Sequence, residues 1–360
     1  MATNYRPIPF VADEPLPPGT VLSDWLVQSG MAQSDLAVRS GLSTKHINQI
    51  IHGTAPLTHE TALALERITR APSRVWNALE AGYRDALLRT ATTQLTAEDR
   101  AWLDSIPVHD LQDRGYVLRD SAQPAIFHST LAFFGVVDRE AWERLWLRPV
   151  ATFRRSKVFQ ARPGSTAAWL RIGELEGRAR KCDSFDAKTF RGVLNRARAL
   201  TRRRDDFSQD LIVDCAQAGV ALVFEKEIPG CRASGAARWL SPTKALIQLS
   251  DRFKREDSFW FSFFHEGAHL LLHSKRDSFV DDDRRGGDIV EEEANRFAAD
   301  ILIPPDRARD LVRLKSNPDV EHFAAAIGIG PAIVVGRLQN DHYWVWNEGR
   351  SLIGRLEIAD

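Results

Sequence analysis

The sequence predicts an α+β fold that is mostly helical, with an all-α N-terminal domain ahead of a larger domain built around a small β-sheet. Three observations carry that prediction. Short helical patterns separated by Gly and Pro fill residues 19–90. Two β-rich runs, "VALVFEKEI" and "KALIQLS", occur only after residue 206. Helical spacing then returns from residue 257 to the low 340s. The expected divisions are a Pro-rich extended segment at 1–18, a helical domain at 19–90, and a helical, Arg-rich middle region at 95–205. A mixed domain at 206–345 and a tail at 346–360 complete them. The chain shows no whole-domain repeat and no low-complexity segment.

Composition sets outer limits. With 44% hydrophobic and 27% charged residues, the chain has the make-up of an ordinary globular protein. No stretch approaches the roughly 20 apolar residues of a membrane span. The start, "MATNYRPIPFVADEPLPPG", lacks the apolar core of a signal peptide. Cys182, Cys215 and Cys231 are odd in number and far apart, which fits packing residues in a reducing, cytoplasmic setting. The net charge of zero hides an asymmetry. Residues 139–204 hold 18 Lys/Arg against 6 Asp/Glu, a net +12, whereas residues 274–306 hold 5 against 10, a net −5.

The N-terminal domain contains "MAQSDLAVRSGLSTKHINQIIHGTAPL". Gln33 opens one helix, Ala37 lies inside it, and Gly41 makes a tight turn. Ser43 is a good N-cap for a second helix, with Ile47 and Ile50 facing inward. A small residue four positions before the glycine is what two closely crossing helices need. Over roughly residues 16–90 this resembles the XRE-type helix-turn-helix, especially its HigA-like antitoxin branch. The resemblance implies a second helix lying in the major groove of a double-stranded operator. Its DNA-facing residues would be Ser43, Thr44, Lys45, His46, Asn48 and Gln49. A homodimer is compatible with it. Residues 16–70 hold four Lys/Arg and four Asp/Glu, so the module lacks a basic excess. A helix-turn-helix used for dimerisation or partner docking is therefore the competing reading.

In the middle region, Lys188, Arg191, Asn195, Arg198 and Arg202 step by three or four and share one helical face. Phe190, Val193, Ala197 and Leu200 form another. The basic face is expected either to be solvated or, given the regional excess, to contact nucleic acid through Lys188, Arg191, Arg198 and Arg202.

The chemistry concentrates in "FFHEGAHLLLH", residues 263–273. His265 and His269 are i and i+4 on a helix, which lets two imidazoles reach one zinc ion. Glu266, one residue round, can meet a water there without ligating the metal. The flanks are apolar on nearly every side, so the helix is expected to be buried. Buried imidazoles and a carboxylate need partners, and a metal satisfies all of them together. The bland alternative is a core helix whose histidines bond to carbonyls. His273 lies about 12 Å further along the axis than His265, too far to share the metal. It is expected to end the helix or orient a ligand.

A third ligand is available downstream in "EEEANRFAADILIP". Glu291 and Asn295 are i and i+4 on a second helix. In that arrangement Glu291 is expected to supply the ligand and Asn295 to orient a ligating histidine through its free ring nitrogen. Glu292 and Glu293 are expected to be solvated, with Glu293 the alternative ligand. HExxH and ExxxN, 21 residues apart, together resemble the metallopeptidase domain of the ImmA/IrrE family over about residues 206–340. The resemblance implies a gluzincin-like domain with Zn2+ held by His265, His269 and Glu291, and Glu266 as general base. It also implies a helix-turn-helix repressor as protein substrate and a link to stress or single-stranded DNA signals. Peptidases of this architecture hold substrate as an added strand. Ser234, Gly235 and Ala236 in "GCRASGAARWLSP" are small enough to admit another backbone, although an ordinary edge strand reads the same way.

In "FAAAIGIGPAIVVGRL", Ala324 and Gly328 repeat the spacing of Ala37 and Gly41. Pro331, Ala332 and Ile333 stand where Thr44, Lys45 and His46 stood, so this segment is expected to pack. The sequence thus points to a zinc endopeptidase that cuts a regulatory protein and carries its own DNA-binding domain. The alternative is an antitoxin-like regulator whose peptidase fold senses or docks without cutting.

Overall fold

The computed structural model describes residues 17–91, 95–119, 121–147, 162–203, 207–250, 255–273 and 287–355. Most of the expected N-terminal extended segment and residues 274–286, between the two motifs, lie outside these residues. The chain forms two compact units, Met1–Thr96 and Ala97–Asp360.

The first unit is all helical: α1 (Pro18–Ser29), α2 (Gln33–Ser40), α3 (Thr44–Ile51), α4 (His59–Thr69) and α5 (Ser73–Ala91). Its core is made by Leu22, Leu26, Leu36, Ile47, Ile50, Leu65 and Trp76. The turn from α2 to α3 runs through Gly41 at φ 71°, and Ser43 Oγ accepts the His46 N–H at 3.1 Å. Ala37, Ile47 and Ile50 are buried as their spacing requires.

The second unit begins with α6 (Ala97–Ser105), α7 (Val108–Asp113), α8 (Gln123–Phe134) and α9 (Arg139–Trp142), which runs on into a π-helical turn, Glu143–Leu147. Trp102, Phe127, Phe134 and Trp142 meet there edge to face at 5.4–6.3 Å. Next come α10 (Pro163–Ala179), α11 (Ala187–Leu200) and α12 (Ser208–Gln217). The sheet consists of β1 (Val220–Glu225), β2 (Gly235–Ser241) and β3 (Lys244–Ser250) in the order β1-β3-β2. β1 runs parallel to β3, and β2 antiparallel, with Gly235 opposite Leu249 and Ala237 opposite Ile247.

Beyond the sheet lie α13 (Glu256–Leu272), α14 (Gly287–Leu302), the short α15 (Pro305–Ala308), α16 (Asn317–Ile327) and α17 (Pro331–Asn340). Phe259, Trp260, Phe263 and Phe264 bury α13 in the main core, with Trp260 4.6 Å from Phe207 between ring centres. A Cβ at Gly267 would come within 3.1 Å of Leu194 Cδ2, so glycine lets α11 pack closely on α13. As expected, α17 packs, burying Ala332, Ile333, Val334, Val335 and Leu338. Among the described residues, no single helix is long and apolar enough to cross a membrane.

Phe190, Val193, Leu194 and Ala197 of α11, in the expected middle region, share one core with β1, β3 and α13. The basic face divides. Lys188, Arg191 and Arg202 are exposed. Arg198 is half-buried and donates from Nε to the Leu302 carbonyl at 3.1 Å, closing the end of α14. Charge periodicity alone does not reveal such a carbonyl. Some arginines of the region are paired as well. Arg171 and Arg178 both pair with Glu174, at 3.1 and 3.0 Å, and Arg196 pairs with Asp214 at 3.0 Å.

Candidate metal centre

α13 and α14 pack side by side and bring three donor groups to one point. His265 Nε2 and His269 Nε2 are 3.0 Å apart. Glu291 Oε2 lies 3.3 Å from His265 Nε2, and Glu291 Oε1 lies 3.5 Å from His269 Nε2. Donors at 2.0–2.1 Å from a tetrahedral ion stand about 3.4 Å apart. The observed separations match that edge, so the three residues fit a metal ion. They are also a group whose ligand atoms all lie within 4.8 Å of one another.

The electrostatics agree with that donor set. Burial, aided by neighbouring His265 and His273, pushes the His269 imidazole down to about 4, so it is a neutral lone-pair donor. A hydrogen bond with His265 holds the Glu291 carboxyl below its ordinary value, against the effect of burial. His265 differs: burial works against its proton, but Glu291, Glu266 and Asn295 outweigh it and raise its value.

Glu266 lies between His265 and the sheet. It is buried among β2 and α13, and burial pushes its carboxyl up to about 7. His265 and the Ala237 backbone N–H partly counter that rise. The β2 backbone explains the contact. The Ser250 N–H donates to the Ser234 carbonyl at 2.9 Å, which makes Ser234/Ser250 a hydrogen-bonded pair. Pairs alternate along an antiparallel ladder, so Ala236 and Arg238 also bond to β3, while Gly235 and Ala237 turn their backbone groups to the outer side. The small residues serve this approach, since a Cβ at Gly235 would sit 2.7 Å from Glu266 Oε1.

β2, which carries Gly235 and Ala236, is one of the two edge strands of the described sheet. The outward backbone groups belong to Gly235 and Ala237 rather than to Ser234 and Ala236, because register against β3 selects them. Asn295 acts on His265 as a hydrogen-bonding neighbour, yet His265 Nδ1 has no partner in bonding geometry among the described residues. Glu293 is not simply solvated, since its Oε2 lies 3.4 Å from His273 Nε2. His273 stays out of the donor triangle, and its Nδ1 is 3.0 Å from His269 Nδ1. The visible signal for it is the spacing of His265, His269 and His273, four residues apart on one face.

In the first unit, Ser43, Thr44, Lys45 and Asn48 are exposed, and His46 and Gln49 are half-buried. The expected reading residues thus share the outer side of α3.

Comparison with curated proteins finds no match. A solved structure, an addiction module antidote protein of a HigA family from Coxiella burnetii, aligns at 23% identity over 22% of this chain and 88% of its own. Its TM-score of 0.22 is too low to carry an argument. Residues 222–339, from β1 to the last core helix, match the peptidase family model described as the IrrE N-terminal-like domain, the resemblance that the two motifs carry.

Proposed function

We propose that this chain is a zinc-dependent endopeptidase, acting in the cytoplasm on a regulatory protein and carrying its own DNA-binding domain. One observation carries the reading: three donors converge at tetrahedral spacing while a buried carboxylate, Glu266, stands beside an edge strand. His265, His269 and Glu291 would hold the ion. When bound, zinc activates a water and polarises a carbonyl.

The chain's own residues do the rest. Glu266 takes a proton from the attacking water and returns it to the leaving amine. Its value of about 7 in the metal-free chain suits a group that must gain and lose a proton near neutral pH. The Ala237 N–H holds the carboxylate on the strand side. The outer backbone of β2 offers Gly235 as a pairing position for an extended substrate segment. A helix-turn-helix repressor is the proposed substrate, and a stress or DNA signal the trigger.

The outward residues of α3 favour a second reading, in which the chain is an antitoxin-like regulator that binds an operator and cuts little or nothing. Zinc content and turnover of a helix-turn-helix repressor encoded beside this chain's gene separate the two. Wild type is expected to hold one zinc and cleave. Glu266→Gln is expected to hold zinc without cleaving, and Glu291→Ala to lose zinc affinity. Metal-free wild type that still binds an operator would favour the regulator.

A further inference from the structure

Resting on the reading of His265, His269 and Glu291 as a metal centre, we propose that His273 and Glu293 are positioning residues that fix and polarise His269 through a relay of hydrogen bonds. The argument begins with tautomers. His269 Nε2 belongs to the donor triangle, so its lone pair must face the ion and its proton must sit on Nδ1. That Nδ1 lies 3.0 Å from His273 Nδ1. Two ring nitrogens at this distance form a hydrogen bond only if one is bare, so His273 Nδ1 accepts and the His273 proton moves to Nε2. His273 Nε2 in turn lies 3.4 Å from Glu293 Oε2, an acceptor without protons of its own when ionised. Every donor in the row Glu293–His273–His269 then has one acceptor.

The backbone makes the row possible. His273 is the residue at which α13 ends, with φ −106° and ψ 153°. Its N–H still reaches the His269 carbonyl at 3.3 Å, so its ring is held over the ring of His269, 5.0 Å between centres. Its side chain is only 10% exposed, whereas that of Glu293 is 54% exposed. The carboxylate thus sits at the surface and the relay runs inward. Glu293 comes from the same helix as ligand Glu291, two residues on. One helix therefore supplies both a ligand and the support for another ligand. The neighbour that acts on His265 from its own helix pair is the neutral amide of Asn295 rather than a histidine backed by a carboxylate. The two histidine ligands are unequal, and the relay belongs to only one of them.

A carboxylate behind a ligating imidazole raises its basicity and fixes its ring, and loss of such a partner typically weakens metal binding about 10–100-fold. The test uses the full-length chain and zinc titrated against a chromophoric chelator at fixed pH. Wild type is compared with His273→Phe, His273→Gln, Glu293→Gln and the double variant His273→Phe/Glu293→Gln. Melting of each metal-free protein serves as a fold control.

All variants are expected to bind one zinc at saturation. His273→Phe raises Kd about 10–100-fold, because the acceptor is lost and the bulk kept. His273→Gln recovers part of that, its amide oxygen accepting from His269 Nδ1. Glu293→Gln gives a smaller rise. The double variant is no weaker than His273→Phe alone, since Glu293 acts only through His273. The cobalt-loaded visible spectrum shifts in His273→Phe and returns toward wild type in His273→Gln. Unchanged zinc affinity in His273→Phe, or a Glu293→Gln effect that persists in the absence of His273, overturns the relay while the centre stands. A wild-type protein that binds no zinc removes the metal-centre reading itself, and the relay with it.

Discussion

Two segments of this chain make the same turn and do different work. From α2 to α3, and again from α16 to α17, an alanine sits four residues before a left-handed glycine: Ala37 and Gly41 at φ 71°, Ala324 and Gly328 at φ 72°. Both alanines are buried, at 8% and 1% exposure. Ile47 and Val334 occupy the same inward position in the two second helices, at 1% and 0%. The outward positions differ. Lys45 and Asn48 are exposed in α3, while their counterparts Ala332 and Val335 are buried in α17. The turn solves a packing problem, and what each helix can recognise depends on the side chains left outside.

Exchanging one outward residue tests this most severely. Val335→Asn places in α17 the residue that α3 carries at the same position. A buried amide without a partner replaces a methyl-filled site, and about 2–4 kcal/mol of stability should be lost from the second unit. The reverse change, Asn48→Val, leaves the first unit within about 0.5 kcal/mol, because position 48 faces water. Hydrogen exchange resolved by peptide reads both units in the full-length chain. Similar losses from the two changes would show that the outward faces are not distinct.

Buried Glu266 and the Glu60 and Glu66 carboxyls of the first unit should respond to pH with opposite signs. In chelator-treated protein, the Glu266 carboxyl is raised from 4.5 to about 7. The folded state then keeps a proton that the unfolded state releases. The Glu266 contribution to the second unit therefore falls as pH climbs from about 4.5 to about 7 and stays low above, by at most about 3 kcal/mol. The lowered His269 imidazole contributes in the opposite sense over about pH 4 to 6.5, so the difference between wild type and Glu266→Gln isolates the carboxyl. In the first unit, backbone hydrogen bonds lower both Glu60 and Glu66. Their stabilisation is present above the ordinary carboxylate value and is lost as pH falls. Denaturant midpoints of each unit between pH 4 and 8 check the signs. Identical pH profiles in wild type and Glu266→Gln contradict a buried, metal-free carboxyl.

How much of this was legible depended on the distance over which each signal acts. His265, Glu266, His269 and Glu291 were readable because spacing on a helix is a local property. The apolar run around them announced burial for the same reason. The outer backbone of Gly235 and Ala237 was not readable, since only pairing with β3 decides which N–H faces Glu266. His273 was visible as the next histidine on the same face, but its pairing with Glu293 was not, since that depends on the end of α13 and on a second helix. Arg198 looked like its neighbours Arg191 and Arg202, because its partner, the Leu302 carbonyl, is 104 residues away in sequence. The packing fate of α17 was readable, as Pro331, Ala332 and Ile333 have no groups for reading bases.

A smaller effect concerns recognition itself. If α3 reads a groove, Lys45→Ala and Gln49→Ala should each weaken operator binding by about 1–3 kcal/mol without changing the stability of the first unit. A gel-shift titration at fixed salt measures it. Unaltered binding by both variants would place any DNA contact elsewhere.

The smallest effect tests the likeness that the comparison starts from. A Cβ built on Gly41 or on Gly328 meets nothing within 4 Å, so neither glycine is there to make room. Both are required by the backbone alone, at nearly equal positive φ. Gly41→Ala and Gly328→Ala should therefore each cost about 1 kcal/mol, in the first and second unit respectively, because an L side chain is strained in the left-handed region whatever the space around it. Asparagine at either position should recover part of the loss, since it tolerates that conformation better. Peptide-resolved hydrogen exchange can assign each loss to its own unit. Equal penalties mean that the same local rule builds both turns and that the difference between them lies in the outward side chains. A penalty several times larger at Gly328 would mean that the buried turn also depends on the core packed around α17, and the two segments would then share a spacing without sharing a mechanism.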